Sequence, residues 1–378
     1  MTVLPQGFRA SAVVAGLKSS GALDMALIVN TGPIRYASAV FTKNRIEAAP
    51  VTWSRGAVSD HRLDAVLLNS GGANACTGPE GFAITHRSAE RVAAALEISA
   101  SDVMICSTGM IGALLPETKV SAGIDQAVEK LNDGDVDQVA RAIMTTDSVP
   151  KIAERSEDGW RIVGVAKGAG MLAPSLATML VVIMTDAIID SDNLSEASSR
   201  TFDRIDSDGC TSTNDTVALL ASGSSGIRAN QERFDQLLEE LCSELSLKLI
   251  EDAEGHTKVV SITTLGAASE ADAVAIGRSV ARNNLLKCAI TGEDPNWGRI
   301  LAAIGTTHAV FDPERISVSI NGIEVCRDSA PFLPRESVDM SGRYVEIEIN
   351  LGIGGKAATV HTNDLSAQYV HENSAYST

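Results

Sequence analysis

Short runs rich in Val, Ile and Leu alternate along this chain with longer stretches whose apolar residues recur every three or four positions, and this alternation constrains the fold more than any other feature. The short runs read as strands over 26–30, 36–41, 65–69, 103–107, 160–166, 179–185, 217–222, 258–264, 316–320 and 344–351. Helical patterns lie between several of them, at 87–97, 124–131, 195–205, 232–251 and 270–284, with Asn193 and Ser269 as the expected caps. "RSEDGW" at 155–160 reads as a hairpin turn. Strands and helices mixed in this way predict an α/β layered architecture in which helices cover the sheets.

Composition narrows what such a layered chain does. With 44% hydrophobic and 21% charged residues the chain is not disordered, and no apolar run approaches the roughly 20 residues of a membrane span. The opening "MTVLPQGFRASAVVAGLKSSG" lacks the positive start and long apolar region of a secretory signal, so a cytoplasmic location is expected. A formal charge of -17 argues against nucleic acid and anionic membranes as partners. Any anionic cofactor would need a local basic pocket. The six cysteines form no C-x-x-C pair and are expected to be reduced, buried thiols; the six histidines form no ligand spacing, so no metal is predicted.

One segment, "VAKGAGMLAPSLATMLVVIMTDA" at 165–187, poses a choice. Gly168, Gly170 and Ala173 satisfy the loose dinucleotide fingerprint, with Asp186 at a tolerable distance for a ribose contact. The fingerprint requires a helix to open at its second glycine, whereas Pro174 and Val181-Val182-Ile183 favour a turn followed by a strand. A phosphate-binding P-loop is excluded because Lys167 precedes Gly168. Other small-residue stretches end candidate strands or helices. "LLNSGGANACTG" (67–78) brings Asn69 and Asn74 to a turn, and "CSTGMIG" (106–112) ends a strand at Thr108-Gly109, where exposed N–H groups suit an oxyanion. "MTTDSVPK" (144–151) sets two hydroxyls beside a carboxylate, and "TSTNDT" (211–216) is similar. "DAEG" (252–255) closes a long helix with acids that oppose its dipole and so need a partner, a cationic substrate being one. Each of these, taken alone, is an ordinary turn.

Together, "NSGGANACTG", "STGMIG", "MTTD", "KGAGMLAPSLATML", "TNDT", "DAEG", "DPNWGR" and the terminal "ENSAYST" occur in an order, over the whole chain, that resembles the glutamate N-acetyltransferase/ornithine acetyltransferase family of arginine biosynthesis. The resemblance implies a self-cleaving precursor cut at Ala177-Thr178, giving an alpha chain 1–177 and a beta chain 178–378 that share one catalytic unit. It also implies a layered α-β-β-α-type sandwich of mixed sheets, with an N-terminal-nucleophile-like architecture. The chemistry suits the residue types. The Thr178 hydroxyl attacks the Ala177 carbonyl, the acyl group shifts from nitrogen to oxygen, and water hydrolyses the ester. The freed α-amine, with a reference pKa of about 7.7–8.0, then serves as base for its own hydroxyl, and no histidine is required.

By the same resemblance Thr178 is the nucleophile, Thr108 and Gly109 form the oxyanion hole, and Thr145, Lys167, Thr178, Glu254, Asn373 and Thr378 bind substrate. Thr145 is preferred over Thr146 by spacing only. The implied reaction is ping-pong: acetyl passes from N-acetyl-L-ornithine to Thr178 and then to L-glutamate, with no cofactor. Some members also accept acetyl-CoA as a substrate, and nothing in the residues separates the two behaviours. The implied assembly is a heterotetramer of two alpha and two beta chains. Two motifs depart from the family pattern: Gly72 replaces an asparagine, and Ser175-Leu176 replaces Asn-Met. Three further readings stand beside this one: a self-cleaving amidohydrolase or aminopeptidase with the same threonine, a secondary-metabolite acyltransferase, and a nucleotide-binding oxidoreductase built on Gly168 and Gly170.

Overall fold

A computed structural model describes residues 2–132, 134–173 and 179–375. Its strands form three mixed sheets. The N-terminal sheet has the order Phe8–Val13, Met25–Asn30, Ala65–Asn69, Val103–Ser107, the last pair parallel and the others antiparallel. The central sheet runs Tyr36–Phe41, Thr216–Ala221, Leu180–Thr185, Trp160–Lys167, Lys151–Glu157, with only Thr216–Ala221 and Leu180–Thr185 parallel. The C-terminal sheet has six strands, Ala330–Pro331, Ile323–Arg327, Ser317–Ile320, Tyr344–Asn350, Val259–Ala267 and Lys356–Asn363.

Alternation of side chains on the strands dictates how these sheets are covered. Leu27, Leu67 and Ile105 on one face of the N-terminal sheet pack against helices Gly78–Leu96 and Glu117–Glu129. Ile28, Leu68 and Met104 on its other face share a core with Val163, Val182 and Leu220 of the central sheet. Helices Ala49–Ala57 and Val136–Ile143 are embedded in that shared core. The far face of the central sheet, through Ile162, Val181 and Leu219, packs on the long helix Gln231–Glu251. Each fully buried aliphatic side chain contributes about 1.5–3 kcal/mol, and Leu180–Thr185 and Thr216–Ala221 are buried along their whole length. The C-terminal sheet builds a separate core with helices Glu270–Ala281, Asn284–Thr291 and Trp297–Ile304. The chain is thus an α/β protein of helix-covered mixed sheets.

The 155–160 hairpin forms as expected, with Asp158 and Gly159 at φ +45° and +90°, the left-handed pair that a tight two-residue turn requires. Ser269 caps its helix through the Asp272 N–H. Asn193 does not cap. Its amide is drawn to Asp235 at 2.9 Å, and the Leu194 N–H is taken by Asp192 instead. The cysteines also differ from expectation: all six are free, but only Cys106, Cys242 and Cys326 are buried.

Candidate active site

The ends of adjacent strands bring the first functional residues together. Val103–Ser107 delivers Thr108 and Gly109 beside the turn that follows Ala65–Asn69. The Thr108 N–H donates to the Asn69 carbonyl at 3.0 Å, and the Gly72 N–H donates to the Thr108 carbonyl at 3.0 Å. Asn214 clamps both turns from a third segment, its amide reaching the Ala73 carbonyl at 2.6 Å and the Ser107 carbonyl at 2.9 Å. Gly109 sits at φ +125°, and a Cβ there would lie 2.9 Å from the Gly72 nitrogen. Because the Thr108 N–H is already used, the donors left for an oxyanion are the Thr108 hydroxyl and the Gly109 N–H.

Lys167 ends strand Trp160–Lys167 and is 1% exposed; its Nζ donates to Thr108 Oγ1 at 3.1 Å. Burial pushes this amine below the ordinary lysine range; Asp147, Asp215 and Glu254 pull it back, and Lys151 pushes it further down. Opposite stands Glu254, one turn past the helix Gln231–Glu251. Its N–H donates to the Ala169 carbonyl at 3.0 Å, and its carboxylate accepts from the Thr146 hydroxyl at 2.6 Å. The carboxylate also fills the space above Gly170, where a Cβ would approach it to 2.7 Å.

Behind this pair lies a buried ionic network that sequence reasoning missed. Asp147 accepts from the Gly168 N–H at 2.6 Å, the Thr145 N–H at 2.9 Å and Lys151 Nζ at 2.6 Å. Lys151 also reaches Asp252 at 2.5 Å, and Asp252 accepts the Ser148 N–H at 3.0 Å. Burial pushes the Asp147 carboxyl up, but Lys167, Lys151 and the Gly168 N–H outweigh it and hold the group at about 2. Asp252 thereby has a protein cation as the partner that its place at a helix end demands. The fourth-residue spacing of Asp147 and Lys151 inside "MTTDSVPK" was the available signal, yet nothing in the sequence marks such a pair as buried.

Thr108, Gly109, Thr145, Lys167, Glu254 and Asn373 line one cavity of about 60 Å³, together with Thr146, Ile111 and Met171. Asn373 comes from helix Ala367–Ala375, where its amide also donates to the Tyr369 carbonyl. Thr146, and not Thr145, touches Glu254; the Thr145 hydroxyl is 3.5 Å from Asp147. Water takes about 30 Å³ per molecule, so this cavity alone is tight for an amino acid. A second cavity of about 340 Å³, lined by Asp208, Arg282, Asn284 and Tyr369, shares Glu254 with it.

Ala177, Thr178 and Thr378 lie outside the described residues. Met179, which follows Thr178 in the chain, gives its N–H to Asp215 at 3.1 Å, and burial drives the Asp215 carboxyl well above its usual range. The dinucleotide reading is overturned. Among the described residues no helix opens over Gly168 to Ala173, and the next regular element is the strand Leu180–Thr185. Asp186 is buried, with its oxygens taken by the Gln6 and Arg161 N–H groups at 3.0 and 2.8 Å.

A buried lysine paired with one hydroxyl and a carboxylate paired with another line the same cavity and give it a cationic and an anionic side, an arrangement that can take a small polar molecule. The ArgJ family profile matches residues 9–378, and the chain belongs to that family. It is 54% identical over 376 residues to the arginine biosynthesis bifunctional protein ArgJ of Streptomyces avermitilis, spanning 98% of both chains. It is 55% identical over 379 residues to the protein of that name from Thermobifida fusca, spanning 99% of both. Among solved structures, a chain of ornithine acetyltransferase from Mycobacterium tuberculosis, complexed with ornithine, is 52% identical over 47% of this chain and 94% of that one, with a TM-score of 0.44.

Proposed function

We propose that this protein moves an acetyl group from N-acetyl-L-ornithine to L-glutamate in arginine biosynthesis, through an acetyl ester on Thr178. Acetyl transfer in arginine biosynthesis is the activity its family membership carries. The observation that supports the finer reading is the single cavity shared by the Lys167–Thr108 pair and the Glu254–Thr146 pair. Lys167 suits an α-carboxylate, Glu254 suits the side-chain ammonium of ornithine, and the Thr108 hydroxyl and Gly109 N–H suit the oxyanion. In the first half-reaction the Thr178 oxygen bonds to the acetyl carbon and the carbon–nitrogen bond to ornithine breaks. The hydroxyl proton passes by way of the Thr178 α-amine to the leaving nitrogen. Glutamate then reverses these steps.

The same reading takes the chain to be cut at Ala177-Thr178 into 1–177 and 178–378, with Thr378 and Asn373 closing over substrate. It takes the two sheets that share a core as the α-β-β-α sandwich of an N-terminal-nucleophile enzyme, assembled as a cytoplasmic heterotetramer with acetyl-CoA as an additional donor. A denaturing gel tests the first step: two fragments are expected, the second beginning at Thr178 on N-terminal sequencing, and Thr178→Ala should leave one chain. Wild-type protein that stays whole yet transfers acetyl groups would refute the mechanism. Release of free acetate in place of acetylglutamate would favour the hydrolase reading.

A further inference from the structure

We propose that Lys151 is a positioning residue for this reaction: it joins the two turns that carry the cavity's polar side chains and sets the charge around Lys167 without touching substrate. It does not line the cavity, nor do Asp147 and Asp252. Lys151 is 1% exposed and opens the strand Lys151–Glu157, where it pairs with Ala166, the neighbour of Lys167. Its single ammonium binds Asp147 and Asp252. Through Asp147 it holds the Thr145 N–H and the Gly168 N–H, the residues flanking Thr146 and Lys167. Through Asp252 it holds Ser148 and the turn that ends in Glu254. The spacing between the lysine wall and the carboxylate wall therefore depends on one ammonium behind both.

The network also acts on Lys167 electrostatically. The charged groups facing that amine are Asp147, Asp215 and Glu254, which favour its proton, and Lys151, which opposes it. Asp147 and Lys151 thus push in opposite directions although they form one ion pair.

The inference rests on the proposed role of Lys167 as a protonated carboxylate ligand, so its deprotonation should set the alkaline limb of kcat/KM for acetyl transfer from N-acetyl-L-ornithine. The test compares that limb in the processed full-length protein, in Lys151→Met and in Asp147→Asn. Lys151→Met should move the limb up, and Asp147→Asn should move it down, each by about half a pH unit or more. KM should rise in both by a larger factor than kcat falls. Should Lys151→Met fail to fold, the charge-balanced Lys151→Met with Asp252→Asn replaces it, with the same upward shift expected. Limbs that stay fixed, or move in the same direction, while the wild type transfers acetyl would overturn the role of Lys151 alone. A wild type without acetyl transfer would overturn the proposed function with it.

Discussion

Gly109→Ala isolates the donor that the oxyanion would use. At φ +125° an alanine is strained, at about 1–3 kcal/mol. The added Cβ would also stand 2.9 Å from the Gly72 nitrogen and 3.0 Å from its Cα, backbone atoms that no rotamer change removes. Relief requires the 109 peptide or the 71–72 turn to shift by several tenths of an ångström, so the total destabilisation should reach about 2–4 kcal/mol. A displaced N–H no longer points at the developing charge, and losing one such donor lowers kcat by about 10²–10³-fold. Gly112→Ala is the control: φ is +85°, but nothing lies within 4 Å of its Cβ and the residue is outside the cavity. It should cost about 1 kcal/mol of backbone strain and leave kcat unchanged. Chemical denaturation and initial rates of acetyl transfer, measured on processed protein, give both quantities. If the two variants match in stability and in kcat, neither the close approach to Gly72 nor the catalytic use of the Gly109 N–H survives.

The hydroxyl pair can be separated in the same assay. Thr146→Val removes a 2.6 Å charge-assisted bond to Glu254 and should raise KM for N-acetyl-L-ornithine about tenfold or more, while Thr145→Val should change it less than about threefold; the reverse order would restore Thr145 as the binding residue. Processed protein should elute from a sizing column with both fragments together and part only in denaturant, and a free 1–177 fragment would contradict the shared central sheet. Burial raises the Asp206 carboxyl to about 6 despite Arg282 at 2.7 Å. Its folded value lies above the unfolded one, so its contribution is full below about pH 4 and is lost as pH rises through 6, a change of about 2–3 kcal/mol. The stability of wild type relative to Asp206→Asn should therefore be greater at pH 4 than at pH 7 by that amount in parallel denaturation curves, and an equal gap at both would refute it.

The strands that burial on both faces makes uniformly apolar were legible, among them Ala65–Asn69, Leu180–Thr185 and Thr216–Ala221. Tyr344–Asn350, with its clean alternation of exposed and buried residues, was legible too, whereas two other strands were not. Lys151–Glu157 reads "KIAERSE", and its alternation is masked by charges that pair with helix Gln231–Glu251, such as Arg155 with Glu244. Phe8–Val13 carries small residues, Ala10 and Ser11, because helix Val136–Ile143 and the Ala127 carbonyl crowd its two faces. Small buried residues give no periodic signal. At the site, Thr108, Gly109, Thr145, Lys167, Glu254 and Asn373 carry roles that the family resemblance implies, and they line one cavity. The carboxylates of Asp147 and Asp252 stand out in their motifs, but their shared buried partner Lys151 does not, since a charge is read as solvated until its surroundings are known.

The register of the central sheet has one more consequence. Lys167 pairs with Leu180, so the antiparallel strands Trp160–Lys167 and Leu180–Thr185 belong to opposite sides of the Ala177-Thr178 bond. Tyr36–Phe41 likewise pairs with Thr216–Ala221 across that bond. While the chain is whole, these pairings form within one molecule and their strands meet at an effective concentration set by the connection. The proposed cut would make the same pairings join two molecules, and unfolding would become a dissociation whose reversal depends on protein concentration. An enzyme processed in this way would fold as one chain and persist as two, its working lifetime governed by how slowly the sheet opens and not by how readily it reforms.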